Sequence, residues 1–80
     1  KSTLAFWDIK KGSVLKEHKH PHEQITYVVS GTFEMELDGV KHLLQQHDTL
    51  VIPPNTVHGG QAITDCKLID SFCPVREDYR

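Results

Sequence analysis

Long apolar runs are missing from this chain: the longest unbroken one is LAFW, Leu4 to Trp7, against the roughly 18 residues that a membrane-crossing helix needs. Nor does it open on a charged segment followed by an apolar stretch of the signal-peptide kind. These two absences predict a soluble, cytoplasmic protein with no membrane partner. An excess of one charge is missing as well. Nine Lys and Arg against eleven Asp and Glu give a net charge of -2, and the basic residues are interspersed with acids, so nothing offers the dense stripe that neutralises a phosphate backbone. Nucleic acid is therefore set aside as a partner. Cysteine is scarce: Cys66 and Cys73 are the only two, close together near one strand-like segment, which suits reduced thiols better than a disulfide framework. A helical period is absent too, since no window of about a dozen residues repeats its apolar positions every 3.6.

What is present is a succession of short alternating segments punctuated by Gly, Pro and Asp. LAFWDI is followed by a turn at Lys11-Gly12-Ser13, a strand that enters a histidine cluster, then QITYVVS up to Gly31. In TFEMELDGVKHLL, Phe33, Met35 and Leu37 alternate with Glu34, Glu36 and Asp38, and Asp38-Gly39 is a two-residue turn signal. TLVI, the Pro53-Pro54-Asn55 loop, a segment carrying His58, and CKLIDSFC complete the series before a charged tail. About seven short antiparallel strands in 80 residues predict an all-β fold, a small antiparallel barrel or jelly roll, which also limits exposed edges. Residues 1–80 are expected to form one domain with one core. A chain this short hides only about 60 to 65% of the surface its unfolded form exposes, so a bound metal or self-association, most simply a homodimer, is expected to support it.

The chain holds six histidines, and three of them crowd into the stretch EHKHPHEQ. His18 and His20 stand at i and i+2, which on a strand places both imidazoles on one face. An isolated pair of this kind is more often a solvated surface feature, and Lys16, Glu17 and Lys19 around it fit that description. The wider spacing says more: Gly12, five residues, His18, one residue, His20, three residues, Gln24, six residues, Gly31, and downstream Pro53-x-Asn55-x-x-His58. This spacing resembles the two motifs of the cupin family, with two departures. Gln24 stands where most cupins carry glutamate, and Asn55 where the second motif has glycine; asparagine is the next most willing residue to adopt a left-handed turn conformation. The resemblance implies a cupin barrel with one divalent metal ion held by His18, His20, Gln24 and His58.

Three neutral imidazoles and an amide oxygen leave the charge of such an ion uncompensated, so it seeks an anionic ligand and can polarise carboxylate, carbonyl or enolate oxygens. Zn, Ni, Fe and Mn all suit these donors. His22 shares strand parity with His18 and His20 and is a rival to Gln24 as fourth ligand. His42, in an alternating strand, and His47, in a polar turn beside Asp48, match nothing and read as structural or solvated.

Asp70 lies within an apolar strand, sharing a face with Leu68 and Phe72 by period two. Periodicity alone leaves open whether that face is inward, where a carboxylate needs a partner or a task, or wet. HPHEQITYVVSGTFE, IPPNTVHG and IDSFCPVRED together resemble the pectin-degradation cupins, which act on unsaturated monouronates released by pectin and alginate lyases. The similarity runs from Ile9 to Tyr79, and it implies that a preceding strand region of that family is absent here. It also implies that Asp70, Phe72 and Arg76 line the substrate cavity, with Asp70 and Arg76 in catalytic roles, all three binding a sugar acid, and Asp70 facing inward. The function it implies is an isomerase-type metalloenzyme that opens cyclic 4,5-unsaturated uronates to the linear keto form. Two alternatives of other classes use the same residues: a non-catalytic sugar-acid-binding or sensing cupin, and a small cupin oxygenase.

Overall fold

Most of the described residues lie in strands, as the alternating segments predict. The computed structural model of the protein describes residues 3–73 and contains eight strands: β1 (Thr3–Ile9), β2 (Val14–His18), β3 (Glu23–Ser30), β4 (Phe33–Leu37), β5 (Val40–Leu44), β6 (Thr49–Ile52), β7 (His58–Ala62) and β8 (Cys66–Cys73). They form two four-stranded antiparallel sheets, in the orders β1-β8-β3-β6 and β2-β7-β4-β5. This is the all-β jelly roll expected from the sequence. Among the described residues no helix is long and apolar enough to cross a membrane.

The β4–β5 hairpin forms as its pattern requires. Phe33 pairs with Leu44 and Leu37 with Val40, while Asp38 (φ 48) and Gly39 (φ 82) both take left-handed backbone conformations, the geometry that lets a two-residue turn match the twist of its strands. Asn55, in the loop before β7, has φ 59, so asparagine fills the left-handed position as its side chain allows. The strand that alternation does not reveal is β7, HGGQA. It pairs with both β2 and β4, and a Cβ on Gly60 would run into the Glu34 carbonyl oxygen. Glycine serves there to let neighbouring backbones approach.

Between the sheets lies a core of Val28, Phe33, Met35, Leu44, Ile52, Ala62, Cys66 and Leu68, of which each large apolar side chain contributes about 1.5–3 kcal/mol of burial. Both cysteines are free thiols. Burial pushes the Cys66 thiol above its usual range, which makes it a packing residue with little reactivity. The β3–β8 pair positions the site. Val28 stands opposite Leu68, Thr26 opposite Asp70 and Gln24 opposite Phe72, so the inward row changes from apolar to polar along two neighbouring strands.

Candidate metal centre

Four strand ends from both sheets meet at the polar end of the barrel. His18 closes β2 and His58 opens β7, and the two are register partners; Gln24 is the second residue of β3, and Asp70 and Phe72 lie near the end of β8. His20 is not on a strand. The pairing of β2 shifts register between Leu15 and His18, the strand ends at His18, and His20 sits in the connection to β3. Strand parity therefore is not what unites His18 and His20; the chain's departure from the strand brings them together. The ring of His58 lies with its centroid 4.2 Å from that of His18 and 5.0 Å from that of His20. Ligand atoms of these three residues all fall within 4.8 Å of one another. His22 is not among the clustered ligand atoms, although its ring centroid lies 5.9 Å from that of His20.

Each of the three imidazoles is oriented by a backbone carbonyl. Nδ1 of His18 donates to Lys16 (2.9 Å), Nδ1 of His20 to His22 (3.0 Å) and Nδ1 of His58 to Thr56 (2.8 Å). A carbonyl only accepts, so Nδ1 carries the proton and Nε2 offers a lone pair in all three neutral rings. Nε2 of His58 is buried and has no hydrogen-bond partner among the described residues, a condition that costs about 1–3 kcal/mol when nothing binds the atom. Burial holds the His58 pKa below its ordinary value, reinforced by the neighbouring His18 and His20 and opposed by the Thr56 carbonyl and Asp70. Gln24 Oε1 lies 3.1 Å from His20 Nε2. Two lone-pair atoms facing each other, beside an orphaned third, suit a shared cation, and three imidazole nitrogens with one oxygen suit a divalent ion of the Zn, Ni, Fe or Mn kind.

Behind the ligating atoms runs a buried chain of hydrogen bonds. Gln24 Nε2 donates to Thr26 Oγ1 (3.0 Å), and the Thr26 hydroxyl donates to Asp70 Oδ1 (2.7 Å). Asp70 is only 8% exposed, so its face of β8 is the inward one. Phe72 presents its ring nearly edge-on to His20, centroids 5.7 Å apart and planes at 72°. A cavity of about 270 Å³ opens onto this array, its apolar wall including Trp7, Met35, Leu68 and Phe72 and its polar wall including Asp70 and Gln24. Arg76 lies outside the described residues. His42 is half-buried on β5, and His47 sits with Nδ1 2.7 Å from the Tyr27 hydroxyl; neither joins the cluster.

The cupin domain family matches residues 5–72. The chain belongs to the cupin family. This cupin is 38% identical over 71 residues to the pectin degradation protein KdgF of Dickeya dadantii, an alignment covering 86% of the chain and 64% of that protein. It thus spans a little under two thirds of that relative's length. The structure of KdgF from a Halomonas species, 40% identical, matches with a TM-score of 0.87 over 99% of this cupin and 74% of that chain. An RmlC-like cupin from Shewanella frigidimarina, 37% identical, also matches with a TM-score of 0.87, over 99% of this chain and 71% of its own.

Sequence reasoning missed Thr26 in this cupin. Its one local signal is parity, which puts Thr26 on the same face as Gln24 and Val28. Trp7, on the edge strand β1, was also missed as a cavity wall; its register partner Leu68 puts it on the cavity side of the sheet, where it stays half exposed at the rim.

Proposed function

We propose that this cupin is a metal-dependent isomerase that opens cyclic 4,5-unsaturated uronates, the monomers left by pectin or alginate lyases, to linear keto acids. The observation that carries this reading is a cluster of three imidazoles, His18, His20 and His58, beside a cavity whose wall brings together His18, His20, the Gln24 amide and the buried carboxylate of Asp70. The 38% identical Dickeya relative, named for pectin degradation, supports a pectin-derived substrate, and the resemblance to the pectin-degradation cupins narrows it to unsaturated uronates. A divalent ion held by His18, His20, Gln24 and His58 would retain its full positive charge and supply Lewis acidity toward carboxylate and enolate oxygens.

The isomerisation adds and removes no atoms. The bond between the anomeric carbon and the ring oxygen breaks, and the anomeric hydroxyl gives up its proton as the carbon becomes an aldehyde. The ring oxygen becomes the enolate oxygen on carbon 5, and carbon 4 receives a proton as the keto group forms. Asp70 is the group on the cavity wall suited to take the first proton and return the second. Thr26 occupies its Oδ1, and no hydrogen bond from a described residue is seen at Oδ2, which leaves that oxygen for the substrate. Phe72 and Trp7 pack against the sugar ring, and a cavity of about 270 Å³ is near the lower end of the roughly 300–1,000 Å³ of small-molecule sites, sized for a monosaccharide.

The test follows loss of the ultraviolet absorbance of the unsaturated uronate, using pectin-derived and alginate-derived monomers, with the parent and with Asp70→Asn. With both proteins assayed at saturating metal and equal occupancy, the variant is expected to lose about 10²- to 10⁴-fold in rate, the usual contribution of a positioned acid or base. Equal rates would remove Asp70 from the proton transfers. A parent that binds the monomers yet leaves their absorbance intact would be a binding or sensing cupin instead.

A further inference from the structure

We infer that Thr26 is a positioning residue: together with Asp70 it fixes which end of the Gln24 amide faces the histidines, and so makes an amide, rather than a carboxylate, the side chain suited to that position. The inference rests on the reading of His18, His20, Gln24 and His58 as a metal centre.

Donor and acceptor counting sets the direction of the whole chain. The Asp70 carboxylate offers only acceptors, so the single proton of the Thr26 hydroxyl is committed to Oδ1 at 2.7 Å. Thr26 Oγ1 then has only lone pairs left for Gln24, and the atom 3.0 Å away must be the amide nitrogen. That choice leaves Oε1 as the atom directed at His20 Nε2, 3.1 Å away. Reversing the amide would set oxygen against oxygen with no proton between them and would turn an NH₂ group, which cannot ligate, toward the histidines. Thr26 has no exposure at all, so water cannot repair the mismatch. A glutamate at position 24 would meet the same obstacle: one carboxylate oxygen would face Thr26 Oγ1 after its proton had been used. The pairing of Thr26 with Asp70 across β3 and β8 thus carries the polarity of an acid on one strand to a ligand atom on the other.

The experiment is a double-mutant cycle read by metal binding. Cobalt(II) affinity, from chelator competition, and the visible spectrum of the cobalt-loaded protein are measured for the parent, Thr26→Val, Thr26→Ser, Gln24→Glu and the combination of Gln24→Glu with Thr26→Val. Thr26→Val is expected to weaken cobalt binding about 10- to 100-fold, as loss of a ligand's supporting hydrogen bond does, and to alter the spectrum. Thr26→Ser keeps the hydroxyl and should restore both. In the Gln24→Glu background Thr26→Val should cost no affinity, because a carboxylate has no wrong end to present. Equal losses for Val and Ser, or the same loss in both backgrounds, would overturn the inference, as would parental affinity and spectrum in Thr26→Val. If valine at this site unfolds the protein, Thr26→Ala enters the same cycle with the same readings. A parent that takes up no cobalt would bring down the metal-centre reading itself, whereas a cobalt-binding parent with indifferent variants would overturn this inference alone.

Discussion

At one end of the β3–β8 pair Val28 stands opposite Leu68; one inward pair along, Thr26 stands opposite Asp70, and beyond it Gln24 opposite Phe72. The inward parity is the same at both ends, and the register shifts only beyond Val28. The apolar end needs nothing from its neighbours except volume, and dry burial there holds the sheets together. At the polar end every buried group must find a partner or carry a cost. Gln24, Thr26 and Asp70 satisfy one another, and the backbone takes the Nδ1 atom of each clustered histidine. Among the described residues the buried Nε2 of His58 has no hydrogen-bond partner, and beside it Gln24 Oε1 and His20 Nε2 face each other as acceptors. One end of a strand pair thus supports the fold, while the other retains an unmet demand that an ion can fill.

The sharpest way to break this contrast is at that orphaned atom. His58→Ala removes it and is expected to abolish metal binding, measured by metal analysis after equilibration with cobalt or zinc. The β-rich circular dichroism spectrum should persist, because the imidazole makes its one described hydrogen bond to a neighbouring carbonyl and its loss leaves the ladder intact. Parental metal uptake in the variant would mean that the polar end is not built around an ion.

A smaller effect, of opposite kind, belongs to the other end. Leu68→Ala empties volume in the core, where Leu68 is 4% exposed, and should lower unfolding free energy in urea by about 2–5 kcal/mol. Cobalt affinity under native conditions should stay at the parental value, since none of the ligating atoms rests on the hydrogen bonds of that residue. A parallel fall in affinity would show that the two ends are mechanically one, and that packing around Leu68 helps to hold the ligands.

The contrast between the ends also separates what was legible in the residues from what was not. Alternation and the Asp-Gly turn fully predict the β4–β5 hairpin because both act within neighbouring residues. Parity puts Asp70 with Leu68 and Phe72, yet it cannot say which face is inward, because that depends on the opposing sheet. For His18 and His20 the spacing is informative while strand parity is the wrong cause: the register shift in β2 and the end of that strand are properties of pairing with β7, far along the chain. Thr26 is locally an ordinary strand former. Only its register with Asp70, 44 residues away, gives its hydroxyl a direction, and that register is a tertiary fact. β7 was obscured for a related reason, since its glycines answer to the backbones beside them and not to any alternation of its own.

The smallest effect is expected at His22, where sequence and space disagree most. By residue count it continues the series His18, His20, His22 and competes with Gln24 for the ion. In the fold its side chain is exposed and stands outside the clustered ligand atoms, while its backbone carbonyl accepts the Nδ1 proton of His20. What His22 supplies to the centre is therefore present in any residue at that position. His22→Ala should leave cobalt affinity and spectrum unchanged, whereas His20→Ala should cost most of the binding. Were the two substitutions to weaken the metal alike, the imidazole of His22 would be a ligand. The chain of hydrogen bonds that aims Gln24 would then be serving a side chain the ion does not use.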